Sequence, residues 1–322
     1  MSKIITIVGA TGRQGQGVVS AFLNKPGYTV RAVTRNPFSP SAQSLSSQGA
    51  TVVQADLNSL PSLERAFAGS HIIFAVTNFL EPFAQNLSPE KAMEVELEQG
   101  TNLAKAAAAV PTLEHYIWST LPNVKAISAG TYLVPHFESK NQVDAYIRTE
   151  LPALLSKTTF LWVGVYATNF AAPAFKPYHI PTADKYVQFG CWEPDTPVRV
   201  IADVSANIGL FVKAAIEQPA KTKNGGIVLA ALQRTYTADE MLQAWAAAQG
   251  VKAQFVQIST KDYRELWPVW AEEMDGMMRY WDEYREKSWI EPSGQRVLGV
   301  EELGLRDEDF ESLEEAYKRL NV

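Results

Sequence analysis

Short runs of apolar, often β-branched residues alternate with amphipathic stretches along the first half of the chain. The runs predict strands at Lys3–Val8, Thr29–Thr34, Thr51–Gln54, His71–Val76, Glu114–Ser119 and Thr158–Val163. The stretches predict helices at Gln16–Leu23, Pro40–Gln48, Leu60–Ala68, Ser88–Val110 and His136–Arg148. Strands that alternate with helices in this way predict an α/β fold, a Rossmann-type, doubly wound and mostly parallel sheet.

The regular alternation ends after Val163. Prolines are frequent in residues 164–197 and predict a loop-rich stretch. Later segments with a regular pattern are the predicted helix Ala202–Glu217, the predicted strand Gly226–Ala231 and the predicted helix Thr237–Gln249. Residues 261–322 are expected to be mainly helical. We therefore predict a Rossmann domain of residues 1–163, rejoined by 198–231, and a smaller, mainly helical C-terminal lobe of residues 164–197 and 232–322.

The composition argues against several classes of function. The chain of 322 residues has a formal net charge of -6, which disfavours electrostatic binding to nucleic acid. Its single cysteine cannot form an internal disulfide, and its histidines lack zinc-ligand spacing. We see no bilayer-spanning apolar run and no signal peptide. We expect a cytoplasmic protein, also nuclear if it is a regulator, with no metal, no membrane and no direct nucleic-acid contact.

A glycine-rich turn joins the first predicted strand to the first predicted helix. In such a loop the first glycine allows a tight turn, and the second lets backbone N–H groups approach a pyrophosphate. The third lets the helix pack closely on the strand, and the helix amino end adds partial positive charge. The alternative is a turn that binds nothing, but the order of strand, turn and helix favours a dinucleotide. The residues of the turn are Gly9, Ala10, Thr11, Gly12, Arg13, Gln14 and Gly15.

The end of the second predicted strand distinguishes the two nicotinamide dinucleotides. NAD sites usually place a carboxylate there to accept from the ribose 2′-hydroxyl. Residues 33–37 contain no carboxylate, and Arg35 can pair with a 2′-phosphate through its planar fork. Arg13 is a second cation within reach. The alternative is a solvated arginine at a strand end, but the absent carboxylate favours NADP(H) as the cofactor.

Two more strand ends carry candidate ligand contacts. Asp56 and Leu57 follow the third strand, where the carboxylate either accepts from an adenine amino group or caps the next turn. Thr77, Asn78 and Phe79 follow the fourth strand. Ligands of open α/β sheets bind at this carboxyl edge.

These motifs together resemble the NmrA-like branch of the atypical short-chain dehydrogenase/reductases. The resemblance covers nearly the full chain and rests on GATGRQG at 9–15, VTRNP at 33–37, VTNF at 76–79, HFESKNQVDAYIR at 136–148, GVYATNF at 164–170 and TADE at 237–240. The pattern is most similar to the NmrA-like redox sensors, which bind NADP(H) and change conformation and partner with its level. The resemblance implies cofactor contacts at Thr11–Gly15, Arg35, Asp56, Leu57, Thr77, Asn78, Phe79, Lys140, Tyr166, Ala167, Thr168 and Asn169.

The catalytic set of a short-chain dehydrogenase is only partly present. Such an enzyme uses Ser, Tyr and Lys, with the Tyr four residues before the Lys. Ser119 stands near the serine position and Lys140 matches the lysine, but His136 occupies the tyrosine position. Tyr132 lies eight residues before Lys140, two helical turns away rather than one.

Three interpretations follow from this substitution. In the first, which the missing Tyr-x-x-x-Lys pair favours, Lys140 only holds the ribose and the protein is a sensor or regulator that responds to the redox state of the cofactor. In the second, His136 is the acid of an NADPH-dependent reductase of a small carbonyl, imine or enone, since imidazole titrates near neutral pH. In the third, Lys140 itself is the base. The structural alternative for His136 is a residue at the start of a helix with its ring hydrogen-bonded or exposed.

An aromatic-rich patch near the carboxyl end is open to three interpretations. Trp267, Trp270, Tyr280 and Trp281 line a substrate pocket, form a partner surface, or fill a helix core, which their spacing favours. Cys191 has no basic neighbour in the sequence, so we do not expect a nucleophile or redox switch. Besides NADP(H), the sequence leaves open a protein partner, a small-molecule substrate and a homodimer.

Overall fold

The computed structural model describes residues 2–86 and 88–320. The strands are β1 (Lys3–Ile7), β2 (Tyr28–Thr34), β3 (Thr51–Gln54), β4 (Ile72–Ala75), β5 (His115–Thr120), β6 (Thr158–Val163), β7 (Val165–Tyr166), β8 (Tyr178–Ile180), β9 (Lys185–Gly190), β10 (Pro197–Val198), β11 (Val200–Ala202), β12 (Gly226–Ala230), β13 (Tyr236–Thr237), β14 (Ala253–Gln257) and β15 (Val297–Leu298). The α-helices are α1 (Arg13–Phe22), α2 (Pro40–Ser47), α3 (Leu60–Phe67), α4 (Leu80–Asn86), α5 (Pro89–Ala108), α6 (Val124–Ile127), α7 (Pro135–Glu150), α8 (Pro152–Leu155), α9 (Val204–Glu217), α10 (Pro219–Thr222), α11 (Ala238–Gln249), α12 (Thr260–Leu266), α13 (Trp270–Tyr284) and α14 (Leu313–Lys318).

The main sheet has eight strands in the order β15-β12-β6-β5-β4-β1-β2-β3. All neighbouring strands in it are parallel. The chain builds β1, β2 and β3 to one side and then returns to place β4 on the other side of β1. The order reverses between β1 and β4, and ligands of such sheets bind in the crevice at this switch point. The Rossmann-type, doubly wound sheet that the sequence predicts is confirmed.

The elements after β6 are less regular than the first half. Residues 164–197, which we expected to be loops, include β8 and β9, and these form a small sheet with β14. Strands of three to six residues are too short to impose a periodic pattern on a proline-rich segment. The stretch expected to be helical contains α12, α13 and α14, but also β15; its last two residues, 321–322, lie outside the described residues. The boundaries between the two lobes remain a prediction.

Two glycine contacts bring the site-bearing helices close to their neighbours. A Cβ on Gly17 of α1 would lie 2.7 Å from the carbonyl oxygen of Ser205 on α9, so only glycine allows this approach. A Cβ on Gly100 of α5 would lie 2.5 Å from Cγ2 of Val143 on α7. The two contacts set the close spacing of α1 against α9 and of α5 against α7.

Candidate functional site

The glycine loop between β1 and α1 has the shape of a phosphate cradle. Gly9 has a φ of 64°, in the left-handed region that glycine tolerates best. A Cβ on Gly15 would lie 2.1 Å from the carbonyl oxygen of Gly9, so no larger residue fits there. Gly12 is the N-cap and makes no side-chain cap. The first-turn N–H groups of α1 therefore have neither an intrahelical acceptor nor a capping side chain, and they suit a pyrophosphate.

Side chains of this loop reach the segment that follows β6. Arg13 donates from Nη1 to Oγ1 of Thr168 at 2.6 Å. Gln14 donates from Nε2 to the Tyr166 hydroxyl at 2.6 Å and accepts from Ser119 Oγ at 2.8 Å. Four residues predicted to touch the cofactor and the predicted catalytic serine thus lie together, although they are far apart in the sequence.

Arg35, which is predicted to bind the 2′-phosphate, forms an ion pair with a carboxylate. Its Nη1 and Nη2 donate to the two oxygens of Glu81 at 2.5 and 3.0 Å, which is a bidentate pair. Glu81 lies in the first turn of α4, a helix that the sequence analysis did not predict. The Arg35 side chain is nevertheless 65% exposed, so the alternative of a solvated arginine at a strand end is not contradicted, and the phosphate role remains a prediction.

Asp56 caps a turn, which is one of the two roles the sequence allows. Its Oδ1 accepts from the backbone and side-chain N–H groups of Asn58 at 2.9 and 3.0 Å. The carbonyl oxygen of Leu57 accepts from Asn102 at 3.1 Å. Asn78 behaves in the same way, with its side-chain oxygen accepting from the Leu80 backbone at 3.2 Å. These bonds shape the strand ends, and the contacts of these residues with a cofactor remain predictions.

Lys140 lies at the centre of a buried polar cluster that the sequence did not reveal. Its Nζ donates to Glu96 Oε1 at 2.6 Å and to Thr77 Oγ1 at 2.8 Å. The Thr77 hydroxyl donates to the same carboxylate oxygen at 2.7 Å, and Ser139 donates to the other. Glu96 is fully buried. An ammonium ion held by a buried carboxylate has no free lone pair, so this arrangement disfavours Lys140 as the base.

His136 also has a buried carboxylate partner. Its Nδ1 and its backbone N–H both face Oε1 of Glu273, and the Glu273 side chain is 0% exposed. A carboxylate only accepts, so Nδ1 carries the hydrogen in this bond. The carboxylate also lies at the amino end of α7, where partial positive charge favours it. His136 is therefore a residue at the start of a helix with its ring hydrogen-bonded, as the structural alternative expects, and the bond to Glu273 orients its imidazole.

These residues surround an apolar cavity of about 270 Å³ above the carboxyl ends of the central strands. Its polar lining includes Gln14, Thr77, Asn78, Ser119, His136, Lys140, Tyr166 and Asn169. Its aromatic lining includes Phe79, Phe137, Phe175, Trp270, Trp281 and Trp289. A mostly apolar cleft with a few convergent polar groups is typical of a small-molecule site. The cavity joins the predicted nucleotide loop to the carboxyl-terminal aromatic patch.

The aromatic patch divides between this cavity and the core. Trp270 and Trp281 line the cavity, and Trp281 also belongs to the buried core, so the core interpretation is confirmed for Trp281. Tyr280 is fully buried and donates to the Ser288 carbonyl, and Trp267 packs against the core. The spacing alone could not separate the two groups, because α13 is buried on more than one face.

Cys191 and Tyr132, two other candidates from the sequence, do not line the cavity. Burial raises the pKa of the Cys191 thiol to about 12, and its Sγ lies 3.9 Å from the sulfur of Met278. Tyr132 donates its hydroxyl to Glu283 at 2.6 Å, and burial together with this bond raises its pKa to about 12.

In the described ranges, no group of three or more His, Cys, Asp or Glu side chains is arranged to hold a metal. None of the described helices has the length and apolar character that crossing a bilayer requires.

Asp144, one turn after Lys140 on α7, gives the fold a testable pH dependence. Burial raises the pKa of its carboxyl to about 7, although hydrogen bonds from Trp118 Nε1 (2.7 Å) and Thr120 Oγ1 (3.0 Å) oppose the shift. The ordinary value is 3.8. Between these values the folded chain binds more protons than the unfolded chain, so this group contributes most stability near pH 4 and loses it as pH rises through 7.

We expect Asp144→Asn to remove this dependence, because the amide does not titrate. The difference in Tm, variant minus wild type, should increase from pH 5 to about pH 7 and level off by pH 8, and thermal melts at each pH measure it. Asp184→Asn is the control, since the Asp184 side chain is 95% exposed. A Tm difference that stays constant over this range would exclude a raised pKa at Asp144.

The family model for NmrA-like proteins matches residues 1–315. This chain belongs to the NmrA-like family. Among curated relatives, the NmrA-like family domain-containing oxidoreductase hkm9 of Aspergillus hancockii is 29% identical over 79% of this chain and 75% of its own length. The oxidoreductase lnaB of Aspergillus flavus is 26% identical over 93% of this chain and 87% of its own.

Solved structures of the same fold include regulators and enzymes. NmrA, a negative transcriptional regulator, in complex with NAD has a TM-score of 0.74 at 22% identity, covering 99% of this chain and 95% of that one. The NADPH-dependent quinone oxidoreductase QOR2 of Escherichia coli, complexed with NADPH, has a TM-score of 0.66 at 18% identity, with 97% and 98% covered. At these identities the comparison establishes the fold, and the function has to be argued from the site.

Proposed function

We propose that this chain is an NADPH-dependent reductase of a small, largely apolar carbonyl, imine or enone that binds in the cavity. The observation that carries the proposal is His136, oriented by buried Glu273, on the wall of an apolar cavity next to Lys140. An imidazole held by a carboxylate beside an apolar binding space supports reduction of an acceptor in addition to nucleotide binding. The names of the relatives as oxidoreductases agree with this proposal.

The residues of the site fit NADPH. The uncapped first turn of α1 suits the pyrophosphate, and Arg35 suits the 2′-phosphate. Lys140 of α7, which reaches Thr77 just after β4, suits the nicotinamide ribose. Lys140 uses two of its three N–H donors at short distance, on Glu96 and Thr77, and lines the cavity. Bound in this orientation, a reduced nicotinamide supplies a hydride to the acceptor.

His136 would supply the proton that completes the reduction. The acceptor π bond breaks, one of its atoms receives the hydride, and the other takes the proton from Nε2 of the protonated imidazole. Glu273 keeps the hydrogen of Nδ1 in place and so fixes which nitrogen faces the cavity. The His136 side chain is 19% exposed, so solvent can restore its proton after each turnover. The aromatic lining of the cavity, which includes Trp270, Trp281 and Trp289, would limit the access of water to the acceptor.

Steady-state oxidation of NADPH tests this proposal. We expect purified protein to bind NADPH and to oxidise it only when an acceptor is added. The loss of absorbance at the reduced-nicotinamide band measures this oxidation. The panel contains apolar aldehydes, imines and enones, with charged compounds of similar size as controls, because the cavity lining is largely apolar. Tight NADPH binding without turnover on the full panel would instead support a cofactor sensor, and absence of NADPH binding would reject both functions.

A further inference from the structure

We infer that Glu81 is a specificity-determining residue that competes with the 2′-phosphate of NADPH for Arg35. The inference rests on the proposed NADPH site and deepens it. Both terminal nitrogens of Arg35 are bound by the two oxygens of one carboxylate. A phosphate recognised by arginine uses the same planar fork of N–H donors. The two anions therefore cannot occupy the fork together, and NADPH has to displace Glu81.

The displacement of Glu81 lowers the affinity for NADPH only, and not that for NADH. NADH carries a 2′-hydroxyl instead of a phosphate and leaves the pair between Arg35 and Glu81 intact. NADPH has to break the pair and then places a doubly charged phosphate near the released carboxylate. Glu81 thus weakens the binding of NADPH but not that of NADH. It therefore reduces the preference for NADPH over NADH that Arg35 creates.

The surroundings of Glu81 allow its side chain to leave while its helix stays in place. Phe79, Phe83 and Ala92 form a small buried cluster, and the ring of Phe83 packs edge-on against Trp270 with 5.2 Å between ring centroids. This packing holds α4. The Glu81 side chain itself is 36% exposed, and that of Arg35 is 65% exposed, so the carboxylate can rotate into solvent.

A second carboxylate remains near Arg35 after this rotation. Asp56 contributes to the raised pKa of the guanidinium, after the larger contribution of Glu81. Its Oδ1 is already bonded to Asn58 in the turn that it caps. With Oδ1 engaged in the turn, Asp56 cannot form the bidentate pair that Glu81 makes with the fork, and the main competition is between Glu81 and the phosphate.

Glu81→Gln tests the inference because the amide keeps the size of the side chain and removes its charge. We expect the Kd for NADPH to fall about two- to fivefold, as the loss of a competing exposed ion pair implies, and the Kd for NADH to stay unchanged. Arg35→Gln should weaken NADPH at least about tenfold. In the Arg35→Gln background, Glu81→Gln should change neither Kd, since the two residues act through one contact.

The measurement is fluorescence titration of each variant with NADPH and with NADH at fixed ionic strength. Adenosine 2′,5′-bisphosphate and 5′-AMP serve as probes that lack the nicotinamide, so the result does not depend on turnover. Glu265→Gln, an exposed residue paired with Lys261 on α12, is the matched control.

The outcomes separate this inference from the proposed function. An unchanged ratio of NADPH to NADH affinity in Glu81→Gln would overturn the inference alone, provided that wild type oxidises NADPH with an acceptor. Weaker NADH binding in Glu81→Gln would also overturn it, because that result would assign Glu81 to the ribose 2′-hydroxyl. If wild type binds neither dinucleotide, the proposed function and the inference both fall.

Discussion

Replacing His136 with glutamine is expected to lower kcat for acceptor reduction by about 10²–10⁴-fold, the usual contribution of a general acid. The Kd for NADPH should stay near the wild-type value, because the proposed contacts of the dinucleotide are made by α1, Arg35 and Lys140. Steady-state kinetics with the best acceptor, together with NADPH titration, measures both quantities. His179→Gln is the matched control, since His179 is a half-exposed histidine paired with Asp184 and does not line the cavity.

Glu273→Gln extends this test to the positioning residue. The variant keeps a side-chain oxygen near Nδ1 but no longer fixes the orientation of the imidazole by charge. We expect kcat to fall about 10–100-fold, with KM for the acceptor nearly unchanged and with an altered pH profile of kcat. If Glu273 had only a structural role, the variant would have a lower Tm, but the pH profile of kcat for the folded protein would not change. If His136→Gln and Glu273→Gln both keep wild-type kcat, the imidazole does not supply the proton.

Replacing Lys140 with methionine is expected to destabilise the fold by about 3–5 kcal/mol, because it leaves the charge of Glu96 buried without its partner. Glu96 is 0% exposed, and the Lys140 side chain is 11% exposed. The double variant Lys140→Met with Glu96→Leu should recover most of this loss, since it removes both charges. Urea unfolding of the two variants measures the free energy of unfolding. Lys125→Met is the control, because the Lys125 side chain is 63% exposed.

The same pair of variants separates stability from cofactor binding. The double variant should be nearly as stable as wild type and yet bind NADPH more weakly, because no ammonium remains at the end of β4. A double variant with wild-type NADPH affinity would show that Lys140 is only a structural residue. A loss below about 1 kcal/mol in Lys140→Met would show that the carboxylate of Glu96 is not a buried, paired charge.

The nucleotide end of the site could be predicted from the sequence because its residues are local. The tight turn at Gly9 and the close approach at Gly15 need only a strand, a loop and a helix in order, and all three follow from apolar patterning within 25 residues. Arg35 could be found in the same way, at the end of the next strand. Tertiary contacts do not alter these local requirements.

The three glutamates that set the chemistry could not be predicted. Glu81, Glu96 and Glu273 lie in helices, where an isolated glutamate is usually on the solvated face. Glu273 stands in the run Glu-Glu-Met-Asp at 272–275, which in the sequence resembles an exposed acidic patch. Each partner is between 44 and 137 residues away in the chain. Only the packing of α4, α5 and α13 around the cavity brings these carboxylates to their partners.

Transfer of deuterium from NADPH tests most directly whether the cavity is a site of hydride transfer. The protein is incubated with NADPH deuterated at both positions of nicotinamide C4 and with an apolar acceptor, and the product is analysed by mass spectrometry. We predict one carbon-bound deuterium in each product molecule and a greatly slowed transfer in His136→Gln. Folded, NADPH-saturated protein that leaves the deuterium on the dinucleotide with every acceptor would contradict the account.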